Sequence, residues 1–138
     1  VAVQADELER FLEEVSRRPG GVCYPQNLKI YAPTAYGRKK DAVRRLYREV
    51  AKLFRGATVY VEETGLWLDE QRGEVEEEPI YVIEAAHNCL TGEQAGRLAE
   101  AILDYAREAE QAFIAVRQGN FYVFPTEELA RALRGSRR

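Results

Sequence analysis

Two helix-period segments separated by a pair of β-type runs, with no helix between them, constrain this chain more than any other feature. Between Arg38 and Phe54, apolar residues Val43, Leu46, Tyr47, Val50 and Phe54 recur at helical spacing, and Gly56 supplies a stop. Thr91 followed three residues later by Gln94 makes a capping-box pattern ahead of Ala95, Leu98, Ala99, Ile102, Leu103 and Ala106. Between these helices lie Thr58 to Glu62, Gly65 to Leu68 and, after Pro79, Ile80 to Ala85, all rich in β-branched and aromatic residues. Consecutive strands flanked by helices exclude the long apolar runs and strict β-α alternation of a doubly wound parallel sheet.

The flanking segments extend this order. Leu8, Phe11, Leu12 and Val15 fall at i, i+3, i+4 and i+7, so Asp6 to Arg17 reads as an amphipathic helix ended by Pro19-Gly20-Gly21. Leu28 to Tyr31 reads as a short strand before Pro33, and Phe113 to Arg117 and Asn120 to Phe124, flanking a Gly119 turn, read as strand. Pro125-Thr126 opens a closing helix with Leu129, Ala130 and Leu133. The predicted fold class is α+β: a ferredoxin-like β-α-β-β-α-β antiparallel sheet with two helices on one face, plus an N-terminal and a short C-terminal helix. The 138 residues are expected to form one domain, with the N-terminal helix in 1–20, the core in 27–124 and the last helix in 126–134. The charged stretch Asp69 to Glu78, with Gly73, reads as a long mobile loop joining two strands.

The stretch Gly56-Ala57-Thr58-Val59-Tyr60, then Gly65-Leu66-Trp67, Gly73 and Glu78-Pro79-Ile80-Tyr81-Val82-Ile83-Glu84 resembles a pattern in small bacterial proteins of unknown function with a ferredoxin-like fold. In them a Gly-x-Thr-Val strand leads to a Gly-x-Trp segment, a glycine turn and a Glu-Pro-x-x-Val strand. The resemblance covers the hairpin, implies scaffold roles for Trp67 and Glu78, and brings no activity with it.

Charge is segregated along the chain although the net charge is only -3. From Leu28 to Phe54, Lys29, Arg38, Lys39, Lys40, Arg44, Arg45, Arg48 and Lys52 face only Asp41 and Glu49. From Glu62 to Glu84 the balance reverses, with Arg72 the lone cation. Hydrophobic residues make up 46% and charged residues 31%, a globular composition, and no apolar run approaches the ~18 residues of a membrane span. No membrane contact and a cytoplasmic address are expected, with Cys23 and Cys89 as reduced thiols. Arg outnumbers Lys, Met is absent and Asn is confined to Asn27, Asn88 and Asn120, a thermophile-like bias.

Candidate chemistry is sparse, and neither a cofactor nor a metal is expected. The only histidine, His87, stands two residues before Cys89 at the end of a strand, where residue types permit a nucleophile and base pair. A solvated or hydrogen-bonded loop histidine accounts for the same pattern, and a zinc site would want more ligands. Glu62 and Glu63 are neighbours on a strand and point to opposite sides, and Glu76 to Glu78 read as solvated surface. Tyr36-Gly37-Arg38-Lys39-Lys40 sits where an anion could meet a helix start, but no phosphate-binding glycine motif occurs. Arg44, Arg48 and Lys52 share a helix face, so Arg38, Lys39, Lys40, Arg44, Arg48 and Lys52 together make a possible nucleic-acid surface.

The strands pose the remaining question. If Leu28, Ile30, Val59, Val61 and Val82 face the helices, then Lys29, Tyr31, Tyr60, Trp67 and Tyr81 fall on the opposite face. Such a face is too aromatic to stay bare, and it lacks the RNA-recognition motif. Coverage by the terminal helices or by a second copy explains it. The leading expectation is a non-enzymatic homodimer that self-associates through the sheet face, with Tyr31, Tyr60, Trp67 and Tyr81 in the interface, or through its opposite charges. A nucleic-acid-binding domain and a small enzyme using His87 are the alternatives.

Overall fold

A computed structural model describes residues 5–16, 27–85 and 90–136. Its elements run α1 (Ala5–Val15), β1 (Leu28–Pro33), α2 (Lys40–Phe54), β2 (Thr58–Asp69), β3 (Glu74–Ala85), α3 (Gly92–Glu108), β4 (Phe113–Gln118), β5 (Asn120–Pro125) and α4 (Thr126–Ser136). The strands form one antiparallel sheet in the order β2-β3-β1-β4-β5.

The two long helices start and stop as their residues dictate. At the head of α3 the Thr91 hydroxyl accepts from the Gln94 amide at 3.2 Å, and the Gln94 side chain accepts from the Thr91 amide at 2.9 Å, closing the capping box. At the foot of α2, Arg55 turns left-handed and the Gly56 amide donates to the Ala51 carbonyl at 2.9 Å. Both helices bury their apolar stripes, Val43, Leu46, Val50 and Phe54 on α2 and Leu98, Ala99 and Ile102 on α3, against Leu28, Ile30, Ile83, Ile114 and Val116 of the sheet.

Four features depart from the sequence-based expectation. Among the described residues the sheet has five strands, because Phe113 to Pro125 is a hairpin of two strands about Gly119, and β5 extends the order beyond that of a four-stranded β-α-β-β-α-β sheet. The acidic run Glu76 to Glu78 belongs to a 12-residue strand rather than a mobile loop, and only 70–73 turn between β2 and β3. Gly73 holds a positive φ of 65° there, while the Asp69 carboxylate accepts from the amides of Gln71 and Arg72. The terminal helices do not cover the aromatic face. Instead α1 contacts α3, α4 and β4, with Leu8, Phe11 and Val15 buried in the common core, and α4 contacts α3 and β5. Finally, β2 carries a bulge: Tyr60 pairs with Val82 but Glu63 with Ile80, so one extra residue intervenes and side chains beyond it change face.

No helix among the described residues is long and apolar enough to cross a membrane.

Candidate functional site

Because every described helix packs on one side, the other side of the sheet lies open among the described residues. Its middle row crosses all five strands in register: Tyr60, Val82, Tyr31, Ala115 and Val123. Phe113 and Phe121 stand on the same face by strand alternation. Phe113, Phe121, Val123 and Tyr60 are exposed by 58%, 53%, 46% and 43%, whereas their strand neighbours Ile114, Tyr122 and Phe124 are buried beneath the helices. The Tyr31 and Phe121 rings meet edge to face at 6.1 Å.

A second row, Glu84, Lys29, Arg117 and Phe121, carries the face's charges. They are largely satisfied within the molecule: Lys29 pairs with Glu84 at 3.5 Å, and the Arg117 guanidinium lies 5.5 Å from the Phe121 ring centre. Five strands ~4.8 Å apart and about five residues of ~3.3 Å rise give the open face, its charged row included, a footprint of roughly 400 Å².

The predicted interface residues separate. Tyr31 and Tyr60 lie on the open face. Tyr81 pairs with Ala32 and packs against the core on the helix side, while Val82 takes the open face, so the expected orientation of these two is reversed. Trp67 lies past the bulge, opposite Glu76, on a part of the β2-β3 hairpin that extends beyond the last β1 pair, Pro33 with Ile80. Val61, expected in the core, is 54% exposed at the bulge. Sequence reasoning missed Phe113, Phe121 and Val123, although apolar residues two apart on each side of Gly119 signal one face of a hairpin.

Where the hairpin leaves the sheet, the β1-α2 loop folds against it. The Thr34 amide and hydroxyl both donate to the Pro79 carbonyl, at 3.2 and 3.3 Å, and the same hydroxyl accepts from the Gly37 amide at 3.0 Å. Ala35, Tyr36 and Gly37 are all left-handed, an arrangement that strains the first two. A hollow of about 440 Å³ results, lined among others by Tyr36, Lys40, Glu63, Glu77, Glu78 and Tyr81. Desolvation, then the neighbouring Glu76 charge, raises the Glu78 carboxyl above its ordinary value. Desolvation, then the charges of Glu76 and Glu78, also raises the Tyr36 phenol. Behind the hollow, the Tyr105 hydroxyl donates to the Pro33 carbonyl at 2.6 Å, and burial followed by the Glu78 charge pushes its pKa upward.

On α2, Lys40, Arg44, Arg48 and Lys52 are exposed, as is Arg38 just before the helix, with Lys39 half-buried at its N-cap. Arg45 pairs with Glu108 of α3. Among the described residues no carboxylate lies within ion-pair reach of Arg44, Arg48 or Lys52. His87 and Cys89 fall outside the described residues, and Glu62 has no described side chain. Among the described residues no cluster of His, Cys, Asp and Glu is arranged to hold a metal ion.

No protein-family model and no curated protein matches the chain. Among solved structures it is similar to a phage SAM lyase in complex with S-methyl-5'-thioadenosine, with a TM-score of 0.51 and 12% identity. The similarity covers 73% of this chain and 89% of that one, and at this identity it concerns the fold alone.

Proposed function

We propose that this protein is a non-enzymatic interaction module that self-associates face to face through the open side of its sheet, on a ferredoxin-like core extended by β5. The observation that carries the reading is the row Tyr60, Val82, Tyr31, Ala115 and Val123, which crosses the sheet with no described helix over it. Burying such a row removes apolar surface from water on both partners at once, at about 25 cal/mol per Å². A second copy suits the face better than a nucleic acid. Its two cations, Lys29 and Arg117, are engaged within the molecule, and its charge is nearly balanced by Glu84, so little remains to neutralise phosphates. Two-fold symmetry makes one self-complementary patch sufficient for a closed dimer.

Light scattering at ~100 µM in high salt, which screens charge-driven contacts while lying well above most specific dimer constants, is expected to report a dimer, and Val123→Glu to report a monomer of unchanged fold. A monomeric wild-type protein at that concentration would overturn the reading.

A second reading attaches to the hollow beside Glu78. Its volume of about 440 Å³, its tyrosines Tyr36 and Tyr81 and its carboxylates suit a nucleoside-sized ligand, the class bound in the structurally similar SAM lyase. Calorimetric titration with S-methyl-5'-thioadenosine tests it: saturable heat lost in Tyr36→Ala supports a ligand site, and the absence of heat at millimolar ligand rejects this one.

A further inference from the structure

Beyond the last β1 pair, the β2-β3 hairpin becomes a free arm with two unlike faces. Leu66 pairs across with Glu77 and Leu68 with Val75, so these four residues share one face. Leu66, Leu68 and Val75 are 64%, 55% and 65% exposed, an apolar cluster with nothing from the described chain upon it. Trp67, Asp69, Glu74 and Glu76 share the other face. Arg72 reaches Glu74 at 3.9 Å and Glu76 at 3.8 Å, whereas Glu70 and Glu77 form no ion pair among the described residues.

An apolar cluster rimmed by uncompensated carboxylates calls for a partner that is basic and partly apolar. The α2 surface has those properties: exposed Arg44, Arg48 and Lys52 without described carboxylate partners, beside half-buried Tyr47 and Ala51. Lengths agree as well. From Lys40 to Lys52 a helix rises ~18 Å, and from Glu63 to Asp69 a strand runs ~20 Å. In its own molecule the arm meets only the start of α2, where Lys40 lines the hollow with Glu77 and Glu78, and it cannot reach Arg44, Arg48 and Lys52. Since β1 ends at the base of the arm and β2 begins at the opposite end of the sheet, α2 starts beside the arm and runs away from it.

We propose that the acidic arm of one molecule docks along the basic face of α2 in a second copy, head to tail. The contact is heterologous, so it builds a closed ring or an extended chain rather than a two-fold dimer. It is independent of the sheet-face contact. Charge complementarity steers the encounter and fixes the register, while Leu66, Leu68 and Val75 lose their water.

The test is sedimentation velocity of full-length protein at low and high salt, in a Val123→Glu background that removes the sheet-face contact. The background protein is expected to form salt-sensitive oligomers. Glu70→Lys with Glu77→Lys on the arm, or Arg44→Glu with Arg48→Glu on α2, is expected to weaken them about tenfold or more. The four changes combined restore them, because the charges are exchanged. All positions are exposed, and circular dichroism checks that each variant folds. A monomeric background protein at low salt, or a combined variant no better than the single sets, overturns the proposal. So does an α2 variant that keeps its oligomers but loses salt-sensitive retardation of an oligonucleotide, the result expected if the basic face serves nucleic acid instead.

Discussion

Replacing Phe11 with alanine tests whether α1 belongs to the same core as the sheet. Phe11 is 1% exposed, and its ring meets those of Tyr122 and Phe124 edge to face, at 5.5 Å and 5.8 Å between centres. Those two rings are themselves stacked at 5.7 Å, so the three form a tight set between α1 and β5. Truncating a buried phenylalanine costs about 3–5 kcal/mol through lost transfer energy and the cavity left behind. Two aromatic pairs of about 0.5–1.5 kcal/mol each account for part of that. Against a typical domain stability of about 5–15 kcal/mol the loss is large. Phe11→Leu, which keeps much of the volume but not the ring pairs, is expected to cost less. Urea unfolding followed by far-ultraviolet circular dichroism is the suitable assay, because the single tryptophan, Trp67, stands on the arm and reports a different region. A loss below about 1 kcal/mol for Phe11→Ala would refute the placement of α1 in the core.

Two further outcomes follow from polar groups. Gln118 is fully buried and its side-chain oxygen and nitrogen have no partner among the described residues, so Gln118→Leu is expected to raise stability by about 1–3 kcal/mol; an equal loss in urea unfolding would mean that the amide is satisfied. Glu78 has a folded pKa raised by desolvation and Glu76, so the native state holds this proton more tightly than the unfolded chain does. Its contribution therefore falls as pH rises from the ordinary carboxylate range through the raised value. Glu78→Gln is expected to flatten that part of the stability profile and to gain at neutral pH, and unfolding midpoints from pH ~4 to ~7 that decline equally in both proteins would contradict the assignment.

The helices were legible in the sequence because capping and spacing are local. Thr91 with Gln94 and the αL stop at Arg55-Gly56 are set by neighbouring residues alone. Strand faces were less legible because they depend on partners far along the chain. Counting alternation from Val59 runs straight through the bulge after Tyr60, which puts Val61 inside when it is exposed. Tyr81 and Val82 are both β-formers, and only pairing with Ala32 and Tyr31 decides which one faces the helices. The run Glu76-Glu77-Glu78 has poor strand propensity, yet it pairs residue by residue with Trp67, Leu66 and Gly65. The basic side of α2 was readable from its i, i+4 spacing, whereas the hollow at Glu78 needs the left-handed loop Ala35–Gly37, which no local signal announces.

The most direct test of the central claim is an isotope-filtered nuclear Overhauser measurement on a mixed sample of labelled and unlabelled protein, which registers only contacts between molecules. Face-to-face association predicts intermolecular signals from Tyr31, Tyr60, Phe113, Phe121 and Val123, and their loss in Val123→Glu. Intermolecular signals confined to residues of the helix side or the arm, with none from these five, would contradict it.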